Sequence, residues 1–173
     1  ILLLHPSPGE TDRIDTDLLS TDTDRMLIIS TRTTAREVEQ KLEYYEVDET
    51  KAVILDTLSI ERGYTRRQSK NVRYVSSPDD LTSIVDHVGE FLDGHDGKLR
   101  VTVDSLNEMA YYADADRTRD AAEAILGLLD DHDAVGLFHL DREVHDGSTV
   151  EAYRDLFDGV IELDADGTVT STF

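Results

Sequence analysis

Short apolar runs that alternate with helix-period segments are the feature that most limits what this chain can fold into. The longest runs that read as buried strands cover residues 1–5, 26–30, 52–56, 99–103 and 134–140. Near-continuous apolar strands of this kind are typical of parallel strands that are buried on both faces. Together with the intervening helices, they predict a three-layer α/β domain with a mostly parallel sheet and helices on both faces.

The remaining segments complete this picture. Helical spacing of apolar residues or helix-start signals predict helices over 11–19, 34–45, 77–92, 116–131 and 149–156, and a short strand over 72–75. Residues 159–163 and 168–172 are predicted to pair as a C-terminal antiparallel hairpin across Asp166 and Gly167. The length predicts one domain over 1–173. Since Ile1 already lies in a predicted strand and is not Met, we expect that residues before it are missing or were trimmed.

The charge balance is strongly acidic. The chain has 38 Asp and Glu against 17 Lys and Arg, a formal net charge of -21. An ordinary acidic protein is one interpretation, but an aspartate-rich, lysine-poor surface favours a halophilic cytoplasm, because at molar salt the Debye length is only about 3 Å and self-repulsion is screened. The same charge argues against nucleic-acid binding, which needs a basic footprint.

Composition also excludes several classes of site. The chain has no cysteine, so disulfides, thiolate metal ligands and cysteine nucleophiles are excluded. No apolar run approaches the roughly 18 residues that a membrane-spanning helix requires, and we expect no membrane association. We expect a cytoplasmic protein.

The strand over 99–103 leads directly into Asp104 and Ser105. In nucleotide-hydrolysing α/β proteins, an aspartate at a strand end holds the magnesium ion beside the phosphates. That chemistry also requires a glycine-rich loop ending in Gly-Lys-Ser/Thr, and the chain has no such loop. Asp104 and Ser105 are therefore candidates for a vestigial magnesium or nucleotide position.

Several motifs resemble the C-terminal half of RecA/KaiC-like ATPase domains. They are Val-Asp-Ser-Leu at 103–106, Gly-Leu-Phe-His-Leu at 136–140, His-Asp at 145–146 and Leu-Phe-Asp-Gly-Val-Ile-Glu-Leu at 156–163. The segment 72–81 further resembles a halobacterial KaiC-like subfamily of unclear function. The resemblance implies a RecA/KaiC-like P-loop NTPase fold over nearly the whole chain.

The chain departs from that family where the chemistry takes place. The place of the phosphate loop is taken by residues 5–12, which include Glu10 and Asp12, two prolines and no lysine. Family enzymes carry water-positioning glutamates after the second strand, and this chain has Ser-Thr-Arg-Thr-Thr at 30–34. These losses predict a degenerate ATPase without a catalytic residue or a cofactor. Asp104 then either accepts structural hydrogen bonds or retains magnesium binding.

Two histidines lie near carboxylates late in the chain. His139, Asp141, His145 and Asp146 are types of residue that bind zinc or another divalent metal. No further ligand has convincing spacing, so we expect no metal, and a metal-dependent enzyme is a remote alternative.

One segment opposes the global charge. Residues 62–73, here called the basic segment, carry five positive side chains and a tyrosine: Arg62, Tyr64, Arg66, Arg67, Lys70 and Arg73. It is either a mobile loop that balances local charge, or a docking loop for an acidic protein or a second copy of the chain.

These features predict a non-catalytic RecA/KaiC-like regulatory or scaffolding protein that acts through protein–protein contacts, with a protein partner or self-association. The alternative is a KaiC-like nucleotide-binding protein or ATPase that uses a non-standard phosphate loop.

Overall fold

The computed structural model describes residues 1–7 and 10–173. Over these residues the strands and helices alternate in the order β1 (Leu2–His5), α1 (Asp12–Ser20), β2 (Arg25–Ser30), α2 (Ala35–Tyr44), β3 (Ala52–Asp56), β4 (Val72–Tyr74), α3 (Leu81–Asp93), β5 (Leu99–Asp104), α4 (Leu106–Tyr112), α5 (Ala115–Asp131), β6 (Val135–Asp141), α6 (Gly147–Arg154), β7 (Val160–Leu163) and β8 (Val169–Thr172). A short 3₁₀ turn, Glu49–Lys51, precedes β3.

The strands form one eight-stranded sheet in the order β4-β3-β2-β5-β6-β1-β7-β8. Each neighbouring pair is parallel except β7 and β8, which form an antiparallel hairpin with Val160 opposite Thr172. The predicted fold class, a mostly parallel sheet that ends in an antiparallel hairpin, is confirmed.

Apolar side chains cover both faces of the sheet because successive residues of a strand point to opposite faces. Leu27 and Ile29 of β2 belong to a core that includes buried residues of α3, α5 and α6. Met26 and Ile28 belong to a second core with α1 and α2. The two cores give the three layers that the sequence predicted.

The helices differ from the prediction in two places. Helix α4 was not predicted, because its seven residues bury only Leu106 and Met109 and so carry little periodic signal. The helix predicted from residue 77 begins at Leu81, where the Asp80 side chain accepts a hydrogen bond from Ser83 N at 3.3 Å. Within the described residues, no helix is both long and apolar enough to cross a lipid bilayer.

Candidate functional site

Five polar residues meet where the parallel strands end, a region called here the carboxyl edge. The register places His5 beside Asp141, and places Ser30 between Asp56 and Asp104. Open α/β sheets bind their ligands outside the carboxyl ends of the strands. The carboxyl edge is therefore the expected position of a ligand-binding site.

Asp104 at the end of β5 faces an arginine of the same chain. Its Oδ1 atom lies 2.5 Å from Nη2 of Arg32, which follows β2. This contact is an ion pair, and its angles do not meet the geometry of a hydrogen bond. A guanidinium thus lies beside the carboxylate that the sequence marked as a vestigial magnesium position.

Ser105 is buried and is held through its backbone. Its N–H donates to Thr31 Oγ1 at 2.7 Å, and Thr31 Oγ1 donates to the carbonyl of Asp104, also at 2.7 Å. Thr31 therefore fixes the Asp104–Ser105 peptide, which is cis, against the end of β2. The structure places both predicted residues at the carboxyl edge.

Helix α1 is tied to the sheet by a buried chain of charges. Asp15 accepts from His139 Nε2 of β6 at 2.6 Å and from Lys41 Nζ of α2 at 2.8 Å. Lys41 also lies 2.6 Å from Asp12 Oδ1. His139 is fully buried and Asp15 nearly so. This chain of charges joins α1, β6 and α2.

The electrostatics of this chain favour its charged forms. Burial alone lowers the pKa of His139, but attraction to Asp15 outweighs it and the pKa is raised. For Asp15, burial raises the pKa, but His139 and then Lys41 lower it below its ordinary value. Lys41 follows the same pattern, with its pKa raised by Asp15 and Asp12 against the effect of burial.

The start of α1 is already acidic. In P-loop proteins this helix N-terminus attracts phosphate, because unpaired N–H groups and the helix dipole favour negative charge. Here the first turn carries Asp12 and Asp15, and Thr11 provides no side-chain cap. Pro8 and Gly9 of the predicted degenerate loop lie outside the described residues.

The space enclosed between α1, α2 and the sheet is small. Asp15, Lys41, Asp104 and His139 line a cavity of about 40 Å³. Ligand pockets usually measure about 300–1,000 Å³. This cavity is too small for a nucleotide.

Asp56 at the end of β3 has a structural role that the sequence did not reveal. Its carboxylate is fully buried and accepts from Ala35 N at 2.8 Å, Ser59 Oγ at 2.6 Å and Leu58 N at 2.9 Å. These bonds cap the start of α2 and fix the turn after β3, so this carboxylate is fully used inside the fold.

The two histidines of the considered metal site have different surroundings. His139 is paired with Asp15, while the ring centroid of His145 lies 6.3 Å from that of Tyr153. Across residues 1–7 and 10–173, no group of three or more His, Asp or Glu side chains is arranged to hold a metal ion.

The basic segment lies exposed at the β4 edge of the sheet. Arg62, Tyr64, Arg66 and Lys70 are exposed, and Arg67 forms an ion pair with Glu39 of α2. Interactions with the hydroxyls of Tyr112 and Tyr64 raise the pKa of Arg62. Of the predicted partner-binding residues, Arg66, Arg67 and Lys70 line one hollow beside β4, whereas Arg62 lies near Tyr112 at the end of α4.

Sequence reasoning missed Arg32, Asp15 and Lys41. One signal was present for Asp15, because it precedes Leu19 by four residues and so lies on the apolar face of α1. A carboxylate at such a position requires a partner. No local sequence pattern indicates that Arg32 or Lys41 pairs with a carboxylate elsewhere in the chain.

The sheet order and the mostly parallel pairing give the chain a RecA-like fold. A prototypical ATPase from the type III secretion system of pathogenic bacteria matches with a TM-score of 0.65 at 12% identity, over 96% of this chain and 51% of that one. The chain belongs to the Family of unknown function (DUF7090), whose model matches residues 1–173.

Two archaeal structures share the fold. Protein PH0321 from Pyrococcus horikoshii, solved in complex with an unknown peptide, matches with a TM-score of 0.65 at 16% identity, over 98% of this chain and 80% of that one. Protein PH0250 from Pyrococcus horikoshii OT3 matches with a TM-score of 0.63 at 11% identity, over 98% and 83%. No curated protein is detectably similar to this chain in sequence.

Proposed function

We propose that this chain is a non-catalytic RecA-like domain with a regulatory or scaffolding role, which acts by binding another protein. We further propose that the chain belongs to the KaiC-like branch of these domains and that it works in a halophilic archaeal cytoplasm. These two assignments rest on the motifs at 103–106 and 156–163 and on the net charge of -21.

The observation that carries the proposal is that the chain supplies its own counter-charges at the carboxyl edge. Arg32 lies 2.5 Å from Asp104, where a P-loop enzyme holds a cation. Asp12 and Asp15 occupy the start of α1, where such an enzyme holds phosphate, and Lys41 pairs with both. A magnesium nucleotide would have to displace Arg32 from Asp104, and at the start of α1 it would meet carboxylates whose lysine is already engaged.

The missing groups support the same conclusion. The loop after β1 has Glu10 and no lysine, so the charge that usually contacts the phosphates is reversed. The stretch 30–34 has no carboxylate to position an attacking water. Loss of one electrostatic group of this kind typically costs about 100- to 1,000-fold in rate.

A protein-binding role has independent support. The basic segment is exposed and carries side chains that are frequent at protein interfaces, Tyr and Arg. PH0321, which shares the fold, was solved with an unknown peptide bound. The second candidate function is nucleotide binding through a non-standard loop, which the position of Asp104 at the carboxyl edge favours.

Calorimetric titration with ATP in molar potassium chloride, with and without magnesium, separates the two functions. We expect no heat of saturable binding in either condition. Micromolar, magnesium-dependent binding that Asp104→Ala abolishes would overturn the proposal in favour of the nucleotide-binding function. Asp120→Ala, which changes an exposed aspartate within α5, is the matched control.

A further inference from the structure

Strand β4 and the basic segment together form a docking surface at one edge of the sheet. We propose that this surface binds an extended acidic segment of a partner protein, which adds to the sheet beside β4. This inference rests on the proposed protein-binding function and specifies the chemistry of the partner.

The backbone of β4 offers hydrogen-bonding groups on its outer side. Among the strands of the described residues, β4 is the outermost and pairs with β3. Ile54 N donates to Asn71 O at 2.8 Å and Val75 N donates to Asp56 O at 3.0 Å. In a parallel ladder, alternate residues bond to the same neighbour, so the N–H and C=O groups of Val72 and Tyr74 point away from β3.

These outward groups are only lightly covered. Among the described residues, the bond recorded to them comes from Arg73, whose Nη1 donates to Val72 O at 3.2 Å. A side-chain bond of this kind blunts a sheet edge, but it is reversible when an incoming strand offers a carboxylate to the guanidinium. The edge is therefore protected against indiscriminate pairing and open to an acidic strand.

The basic segment is held against this edge. Tyr74 Oη donates to Arg67 O and accepts from Arg67 N, both at 3.1 Å, and Arg73 Nη1 donates to Lys70 O at 2.8 Å. The segment and the edge strand line an open hollow of about 740 Å³. Because these hydrogen bonds already restrain the basic segment, it loses less conformational freedom when a ligand binds.

The charge of the hollow is mostly unsatisfied by the chain itself. Residues 61–73 carry five positive side chains and one acid, Glu61. Within the described part of the chain, Arg67 is the member of this set that forms a salt bridge, with Glu39. Arg66 and Lys70, which line the hollow, have no carboxylate partner there although the protein has a net charge of -21.

This combination specifies an acidic partner in an extended conformation. The free edge of a strand accepts an extended backbone, and arginine pairs with carboxylates through two parallel hydrogen bonds. A DNA duplex carries about one charge per 1.7 Å and would bring most of them against the acidic surroundings. A second copy does not supply the complement at its own other edge, because β8, Val169–Thr172, contains no carboxylate.

The test selects peptides of about a dozen residues, long enough to pair along a strand, from a displayed random library on the wild-type chain in molar potassium chloride. Affinities of the selected peptides are then measured by fluorescence anisotropy. We expect acidic peptides with β-forming residues, and a loss of affinity of about tenfold or more in Arg66→Glu/Lys70→Glu. A proline at the centre of such a peptide should abolish binding, because it removes a donor N–H.

The matched control is Arg117→Glu/Arg119→Glu, which makes the same charge change at two exposed residues of α5. α5 packs against the other face of the sheet from α2, and we expect this variant to bind like the wild type. If Arg66→Glu/Lys70→Glu melts early, Arg66→Gln/Lys70→Gln replaces it. The inference is overturned if the selected peptides are not acidic, or if they bind Arg66→Glu/Lys70→Glu as tightly as the wild type.

The same experiments distinguish two other ligands of this surface, a single-stranded nucleic acid and a second copy of the chain. Saturable binding of single-stranded DNA in place of peptide, or self-association that Arg66→Glu/Lys70→Glu abolishes, would each contradict an acidic partner segment. A chain that binds the peptides and also binds magnesium ATP would refute the proposed non-catalytic role but not this surface. A chain that binds neither would refute the surface alone.

Discussion

The carboxyl edge and the basic segment both concentrate charge, but they use it in opposite ways. At the carboxyl edge, Arg32 faces Asp104 and Lys41 faces Asp15 and Asp12. In the basic segment, Arg67 pairs with Glu39, whereas Arg66 and Lys70 face a hollow. A P-loop fold normally leaves its strand ends unsatisfied so that a nucleotide completes them. Here two such positions carry ion pairs of the chain itself, whereas Arg66 and Lys70 at the sheet edge have no carboxylate partner among the described residues.

The two regions also differ in burial, which decides how much their charges contribute to stability. Asp15 and His139 are buried, so removing one partner leaves a charge in a poorly solvated interior. The side chain of Arg67 is 63% exposed, and exposed ion pairs contribute little. Changes in the two regions should therefore affect folding and binding separately.

The largest effect should come from salt. With a net charge of -21, the folded chain should be unstable in dilute buffer and should gain stability as potassium chloride rises to molar concentrations. Buried pairs are screened much less, so this gain comes from the surface. Thermal melts across a salt series test it, and a midpoint that stays flat or falls would contradict the halophilic interpretation.

The next effect should come from breaking the buried chain of charges. Asp15→Ala leaves His139 and Lys41 without their shared partner, and we expect a loss of about 3–5 kcal/mol in the free energy of unfolding. Asp17→Ala changes an exposed aspartate of the same helix and should cost less than about 0.5 kcal/mol. Denaturant titration at molar salt measures both, and equal small losses would show that the pair is not a structural anchor.

A smaller effect should appear in the pH dependence. The lowered pKa of Asp15 gives stability that is present above its ordinary value of 3.8 and is lost as the pH falls through the folded value. The raised pKa of His139 gives stability that is present below 6.5 and is lost as the pH rises through the folded value. The pair should therefore stabilise the fold most between these two values.

Comparison with Asp15→Asn isolates this contribution. Without the Asp15 carboxylate, burial is the largest remaining effect on His139 and lowers its pKa, while the smaller effects of Asp104 and Arg32 oppose each other. The stability that the wild type loses above pH 6.5 should therefore not be lost in the variant. Unfolding free energies measured across neutral pH should converge for the two proteins as the pH rises. Parallel curves would contradict an ionised pair.

The smallest effect on stability should come from the basic segment. Arg66→Glu/Lys70→Glu alters exposed side chains without a described carboxylate partner, and the unfolding free energy should change by less than about 0.5 kcal/mol. Thermal melts of this double variant and of Asp15→Ala, measured side by side, compare the two losses of stability. A large loss would mean that the segment is a structural element and not a docking surface.

Much of the fold followed from local signals. Apolar runs such as 26–30 and 99–103 became β2 and β5, since continuous hydrophobicity of this kind favours a doubly covered strand. The position of Asp104 at the carboxyl edge also followed, because the end of a parallel strand fixes which edge its last residue occupies. Helix α4 could not be predicted, because its seven residues are too few to show a helical period of apolar residues.

The ion pairs of the site could not be predicted, because they join distant parts of the chain. His139 and Asp15 are 124 residues apart, and no local pattern links them. Arg32 follows β2 and meets Asp104 only because β2 and β5 are neighbours in the sheet. The sequence showed which nucleotide-binding groups are missing, and the structure shows Arg32 paired with Asp104 and Lys41 paired with Asp12 and Asp15.

The most direct measurement is an amide NMR titration of the folded chain with magnesium ATP in molar potassium chloride. If the carboxyl edge is completed by its own charges, amides of residues 5–7, 10–15, 30–34 and 104–106 should show no saturable shift, while a selected acidic peptide should shift amides of the basic segment. Saturable shifts at the carboxyl edge with magnesium ATP would contradict the account.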